Sequence, residues 1–518
     1  MSKKNGRNSP CSCGSGIKYK KCCLNKQVSS TQSNILNAKL IANKLKAKEQ
    51  QIIKQQGYGR QIVSEECDGK RFIVVGGDPY WGTWQTFNDF LCDYLKKILG
   101  SGWGRNEQKK EFKDQHPLIQ CFKIAGNYLE KYTKNLQKNE LYSYESIGAI
   151  EAIQNLAYNL YLLAHNAKIQ KILIRRLKNK DQFYDAFYET QVAALLIYSG
   201  FLLEMEDETD NSCTHCEFTA TAKDTKIKYS VEAKSRRPDK KNVGINRQLY
   251  KALKKQAQHK RIVFIEMNIP DLISEHTKII AELERLESST QIDTNPVPSA
   301  YLFITNNSYL YNLEDTKCQR GHLVYGFKIN DFGNINQLVT LGEALDFREK
   351  HLDIEHLHQC IKYYNVPSTF DGELPIFAFN KELRKKRILI GNKYLIPDKN
   401  GNEIVAILTT ATVSEESKEV LAGFHNGLIC KMPISDEELI AYKQNPDTFF
   451  GVPLSQGKKL SNEVELYDFF YNSYKENSKE KILDLLKISS DSEIYQNLSK
   501  EQLLRILCES YVYGAIKD

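Results

Sequence analysis

Three residues on one short stretch have the types and spacing to do chemistry: Glu217, Glu232 and Lys234. The stretch 216–234 reads C-E-F-T-A-T-A-K-D-T-K-I-K-Y-S-V-E-A-K. It divides into two short strands joined by a tight turn at 223–226. In a strand, side chains two residues apart share a face. Glu232 and Lys234 therefore point one way, and Ile227, Tyr229, Val231 and Ala233 point the other. An uncompensated charge beside a core is costly. A divalent metal held by Glu217 and Glu232, with Lys234 beside it, would supply the compensation. A solvated polar face with an ordinary Glu–Lys pair is the other reading of the stretch alone.

Length and composition bound what such a site could belong to. At 518 residues the chain exceeds one typical core, so two to four domains are expected. Hydrophobic content of 41% with 26% charged residues suits a soluble globular protein. No apolar run reaches bilayer-spanning length, so no membrane association is expected. The first residues are polar and lysine-rich, with no apolar h-region, so no signal peptide is expected. Thirteen cysteines without secretion signals point to a reducing cytoplasm, with metal ligands or free thiols. The net charge of +8 is unevenly spread. Residues 1–48 hold eleven Lys and Arg and no acid, and residues 223–261 hold fourteen against three acids, Asp224, Glu232 and Asp239. Local clusters of positive charge are the footprint of polyanion binding, so nucleic acid is the expected partner.

The elements on either side must position these side chains. Upstream, 182–198 reads as a helix with Phe183, Phe187, Val192, Leu195 and Leu196 apolar, closed by Gly200. Asp185 and Glu189 lie four apart on one of its faces. A strand over 201–206 precedes the two strands of the stretch. Downstream, 245–260 reads as a helix with Ile245, Leu249, Leu253 and Ala257 inward. Arg247, Lys251, Lys254, Lys255 and Gln258 are expected on its outer faces. Residues 261–268 read as a buried strand, 271–287 as a helix and 300–305 as another apolar strand.

The order helix–strand–strand–strand–helix–strand, with E…E-x-K across the second and third strands, resembles the PD-(D/E)xK nuclease superfamily. The resemblance implies an αβββαβ core with a mixed sheet between helices. It puts Glu217 where the family usually has Asp, makes Glu232 and Lys234 the (D/E)xK pair, and makes Glu189 the first-helix carboxylate that some members add. Cys216 stands where the family often has proline, and the Gln-x-x-x-Tyr signature of RecB-like members is absent. In such a site Glu217 and Glu232 would hold Mg2+ or Mn2+ for phosphodiester hydrolysis. Lys234 would orient the water or stabilise developing negative charge. Arg236, Arg237, Lys240, Lys241, Arg247 and Lys251 follow and are expected to hold the phosphate backbone.

A second constellation lies near the N-terminus. Cys11 and Cys13 are followed by Cys22 and Cys23, a spacing that suits one tetrahedral Zn2+ wrapped by two pairs. Gly14 and Gly16 supply the flexibility of the wrap. The segment N-S-P-C-S-C-G-S-G-I-K-Y-K-K-C-C resembles the SEC-C zinc module, a docking element attached to many otherwise unrelated proteins. That resemblance implies zinc on the four cysteines, and a protein or ribosome partner is expected for it. Cys213-Thr214-His215-Cys216 looks like half a zinc site without a second half nearby. His351, His356 and His358 lie on a helix over 342–361 and read as its polar face, because the zinc-hydrolase spacing is absent.

The expected organisation is an α+β multidomain chain. It comprises a zinc module over 1–27, a helical linker over 28–57 and a mainly helical domain over 58–180. The nuclease-like domain covers 181–310, and an α+β region covers 311–518, with a hairpin turning at 399–402. The expected function is metal-dependent cleavage of nucleic acid, DNA foremost, in defence or repair. The competing expectation is a non-catalytic adaptor that binds nucleic acid, a ribosome or a protein through the zinc module and the basic face. Oligomerisation is left open.

Overall fold

The computed structural model describes residues 8–9, 17–21, 23–134, 141–206, 216–238, 244–288, 291–292, 295–318, 320–332, 340–454, 462–488 and 493–517. Cys11, Cys13, Cys22, Cys213, His215, Lys240 and Lys241 lie outside the described residues, and Cys23 only begins a helix. The chain is an α+β protein with several sheets, divided into two compact units. Neither unit is a continuous piece of sequence.

The first unit joins residues 1–56 to 367–457. Its antiparallel sheet runs in sequence order through Lys393–Pro397, Glu403–Ser414, Glu419–Phe424 and Ile429–Pro433. The expected turn is tied by Asp398, whose Oδ1 accepts from the Asn400 and Asn402 amides at 2.8 Å. The long helix Cys23–Gln56, expected as a linker, belongs to this unit. Leu40 packs against the core, close to Gly391, whose φ of +86° favours glycine. Gln51 donates to Asn445 Oδ1 at 3.2 Å and accepts from Thr448 Oγ1 at 2.6 Å.

The second unit spans 57–366 and 458–518. It opens on an antiparallel sheet of Ser64–Cys67, Lys70–Val75 and Asp78–Gly82. Helices follow, including α1 (Ala167–Leu177) and α2 (Phe183–Tyr198). Next come β1 (Phe201–Met205), β2 (Phe218–Ala222), β3 (Lys228–Ser235) and α3 (Asn246–Lys254). Then come β4 (Lys260–Glu266), α4 (Leu272–Glu287), β5 (Ala300–Asn307), β6 (Arg320–Phe327) and α5 (Leu341–Tyr363). The sheet order is β6-β5-β4-β3-β2-β1. Strands β3, β4 and β5 are mutually parallel, and β1, β2 and β6 are each antiparallel to a neighbour.

Both sheet faces are covered. Tyr229, Val231 and Ala233 of β3 share a core with Tyr188, Val192 and Leu196 of α2 and with Ile354 and Leu357 of α5. Val263 and Ile265 of β4 pack with Leu249 and Leu253 of α3 and with Ile279 and Leu283 of α4 on the other face. Each buried Val, Leu or Ile among them contributes about 1.5–3 kcal/mol by leaving water. A one-residue slip of β3 would exchange its faces and drive Glu232 and Lys234 into the α2 core, so the register is firmly specified.

Two expectations are corrected here. The histidines of α5 do not form an exposed polar face, because this helix is pressed against the sheet. His351 is buried with Nδ1 2.9 Å from Tyr301 Oη, and His356 Nε2 lies 3.1 Å from the Ser199 carbonyl. Nor do residues 311–518 form one region. Strand β6 and helix α5 complete the sheet unit, and the last helices pack Leu503 and Leu507 on Leu341 and Leu345 of α5. The last helix, Lys500–Lys517, opens on a capping box: Gln502 N donates to Ser499 Oγ at 3.2 Å, and Ser499 N donates to Gln502 Oε1 at 2.8 Å.

Candidate active site

Glu217 immediately precedes β2, and its amide donates to the Val231 carbonyl at 3.0 Å. Phe218 is paired with Val231, so the antiparallel register sets Glu217 opposite Glu232. Cross-strand partners share a face. The tight turn, with Ala222 N bonded to Ile227 O at 2.9 Å and Lys226 at φ +62°, fixes that register. Glu232 is itself in register with Val263, which places it on the α3 side of the sheet.

Four residues expected at the site converge there. Glu189, Glu217 and Glu232 are 8%, 9% and 1% exposed. Lys234 Nζ is paired with Glu232 Oε1 and lies 3.8 Å from Glu217 Oε1. Glu189 arrives from α2, joined through Arg176 of α1. The Arg176 Nη1 atom is 2.8 Å from Glu189 Oε2 and 3.8 Å from Glu217 Oε2.

Arg176 and Lys255 were missed as site residues by sequence reasoning. Lys255 was placed on the outer face of a helix reaching 260, but α3 ends at Lys254 and Lys255 is already extended, at φ −65° and ψ 145°. Its side chain turns inward, and Nζ lies 3.0 Å from Glu217 Oε1 and 2.9 Å from Glu232 Oε1. Asp185 is a third addition. Its neighbours include Lys234, Arg237, Lys251 and Glu217. The only sequence signal for it was its place one turn before Glu189.

Burial raises the Glu232 carboxyl above the usual range, and the Glu217 charge raises it further. Burial and Glu217 push Glu189 up to about 7. Partial desolvation raises Asp185 as well, although its side chain remains exposed. For Lys255, burial acts downward, but Glu217 and Glu232 more than offset it and strengthen its hold on the proton. Among the described residues, three carboxylates thus meet three cations, Arg176, Lys234 and Lys255, in one compensated cluster.

The donor chemistry fits a hard divalent cation. Among the described residues, Glu232 Oε2 is buried and has no hydrogen-bond partner, although Oε1 is shared by two ammonium groups. Glu217 faces it from the next strand. Among the described residues no group of three His, Cys, Asp or Glu is arranged to hold a metal ion. Magnesium needs only one or two carboxylates, because water and substrate phosphate complete its shell.

The flanking basic residues divide. Arg236 was expected to hold phosphate, but it is 4% exposed and donates to the Met267 and Asn268 carbonyls at 3.2 and 2.9 Å. It fastens the end of β3 to the segment after β4 and is removed from the expected phosphate contacts. Arg237, Arg247 and Lys251 are exposed, and Arg237 donates to the Asp181 carbonyl at 2.9 Å. Cys216 is buried, its thiol lies 3.5 Å from the Gln256 carbonyl, and burial pushes it up to about 12.

A model of the SEC-C motif matches residues 7–25, the segment that carries Cys11, Cys13, Cys22 and Cys23. The chain therefore bears an N-terminal SEC-C motif. No curated protein sequence and no solved structure matches the chain. Among the described residues, no helix is long and apolar enough to cross a membrane.

Proposed function

We propose that the second unit hydrolyses phosphodiester bonds of nucleic acid, DNA foremost, in the manner of PD-(D/E)xK nucleases. One observation carries the reading. Glu217, Glu232 and Lys234 meet on one face of a mixed sheet whose elements run α2-β1-β2-β3-α3-β4. Glu217 and Glu232 are the residues that would hold Mg2+ or Mn2+, with Glu189 third. A bound divalent ion supplies Lewis-acid polarisation of a phosphoryl oxygen. Lys234 presents a point charge to the developing negative charge and orients the attacking water. Arg237, Arg247 and Lys251 hold flanking phosphates, with Lys240 and Lys241 in the intervening segment. Cys11, Cys13, Cys22 and Cys23 would hold a structural Zn2+, and the module would dock a protein or ribosome partner in the cytoplasm. Defence or repair are the roles this chemistry suits.

The test is direct. The pure protein is incubated with labelled single- and double-stranded DNA and RNA, with Mg2+, Mn2+ or EDTA. Metal-dependent cleavage that vanishes in Glu232→Gln and Lys234→Met supports the reading, and cleavage surviving both substitutions sinks it. The charge balance of the cluster favours a second reading, a non-catalytic adaptor whose core is closed by its own ion pairs. That reading predicts binding that weakens with salt and no cleavage with either metal.

A further inference from the structure

Lys255 occupies a position that the nuclease chemistry does not require. Its ammonium lies 3.0 Å from Glu217 Oε1 and 2.9 Å from Glu232 Oε1, so it bridges the two carboxylates proposed to hold the ion. A positive group at that spacing from both oxygens stands for a cation. Lys234 already neutralises part of the same pair from within β3. Lys255 reaches in from the first residue beyond α3, where the chain has left the helix, and its side chain is a quarter exposed. It thus has a path out to solvent. Glu232 itself is 1% exposed and fixed in β3.

We propose that Lys255 is a built-in competitor for the divalent ion. Its ammonium holds Glu217 and Glu232 together until metal displaces it, and metal uptake requires the side chain to swing out. The inference rests on the metal-nuclease reading of this site and adds a gate to it. Two carboxylates bridged by an ammonium cannot simultaneously present the same oxygens to an ion. The apparent affinity is therefore lowered by the fraction of molecules in which Lys255 is bridging. Arg247 and Lys251 are exposed on α3, the helix that ends just before Lys255, and a nucleic-acid phosphate drawn to that helix would be a natural acceptor for the released ammonium.

The experiment measures metal binding, not cleavage. Loss of the free-Mn2+ electron paramagnetic resonance signal is followed for the full-length zinc-loaded wild type, Lys255→Met and Glu232→Gln. The last identifies which binding event belongs to this site, and Lys278→Met serves as a surface control. Lys255→Met is expected to bind Mn2+ roughly ten-fold more tightly, the factor set by an open arrangement populated about a tenth of the time. Unchanged or weaker binding by a Lys255→Met protein with a native circular-dichroism spectrum overturns the proposal and leaves the metal site standing. Absence of Mn2+ binding by wild type and Lys255→Met alike removes the metal site and the gate together. A second measurement needs no variant. The rate at which an amine-directed reagent modifies Lys255 in the wild type, read by mass spectrometry, is expected to rise on Mn2+ saturation. Equal or slower modification with Mn2+ overturns the gate even if Lys255→Met fails to fold.

Discussion

Two buried carboxylates in the same unit are treated in opposite ways. Glu266, at the end of β4, is 3% exposed, and both of its oxygens are satisfied by neutral donors. Asn307 N at 2.7 Å and Asn268 N at 3.3 Å donate to Oε1, while Thr305 Oγ1 at 2.7 Å and Asn307 Nδ2 at 2.9 Å donate to Oε2. Glu232, one strand away, is just as buried, but ammonium groups pair with one of its oxygens, and the other accepts no hydrogen bond among the described residues. A carboxylate locked by neutral donors from backbone and short side chains is structural, because nothing in its shell can be exchanged. A carboxylate compensated by mobile lysines, with an orphaned oxygen, is arranged for exchange of one cation for another. Burial alone therefore does not distinguish a structural acid from a functional one. The identity of its partners does.

The largest effect expected from this contrast is catalytic. Glu232→Gln should lower metal-dependent cleavage by at least about 10²–10³-fold, and Lys234→Met by a similar factor. Glu266→Gln should leave the rate of the folded protein within a few-fold. Equal losses of rate in Glu232→Gln and Glu266→Gln would erase the distinction. Next comes stability. Glu266→Ala strands several buried donors and should cost about 2–4 kcal/mol in urea unfolding. A cost below about 1 kcal/mol would show the Glu266 network to be dispensable.

A smaller effect is expected from pH. Glu189 carries a raised carboxyl, near 7 against 4.5 for an ordinary one, so the folded state holds this proton more tightly than the unfolded state. Its stability contribution is therefore complete below about pH 4.5 and is lost as pH rises through about 7. Glu189→Gln cannot ionise, so unfolding curves should show the variant gaining on wild type over that window, by on the order of 1–3 kcal/mol. A constant difference between the two from pH 4.5 to 7.5 would place the Glu189 proton elsewhere. The smallest effect concerns the rim. Arg247→Ala and Lys251→Ala should each reduce the salt slope of nucleic-acid binding by about one, whereas Arg236→Ala should destabilise the fold without that signature. A lowered slope for a fully folded Arg236→Ala protein would return that residue to the phosphate contacts.

Much of the site was legible in the sequence because local rules set it. Alternation put Tyr229, Val231 and Ala233 on the core side of β3, and a short turn at 223–226 fixed Glu217 opposite Glu232. The helix–strand–strand–strand–helix–strand order followed from periodicity and length. What escaped depended on long-range or terminal detail. Apolar spacing running on to Ala257 extended the apparent helix, and no glycine or proline marked the end at Lys254 that turns Lys255 inward. Arg176 joins the cluster from α1, which no local pattern predicts. Arg236 belongs to a basic run, yet carbonyls at 267 and 268 claim it. The assembly of residues 1–56 with 367–457 is a tertiary pairing across the intervening unit, invisible to composition.

That pairing has a consequence for synthesis. The helix Cys23–Gln56 leaves the ribosome about 310 residues before its partner segment, 367–457, begins, a wait of about 15–60 s at ordinary elongation rates. Throughout that interval the face that will bury Leu40 has no sheet to cover it. The sheet unit, whose strands from β1 to β6 emerge in one continuous stretch, can meanwhile fold around its own core. The helix Cys23–Gln56 is thus made early and finished late, and its apolar face needs cover while the intervening residues are translated.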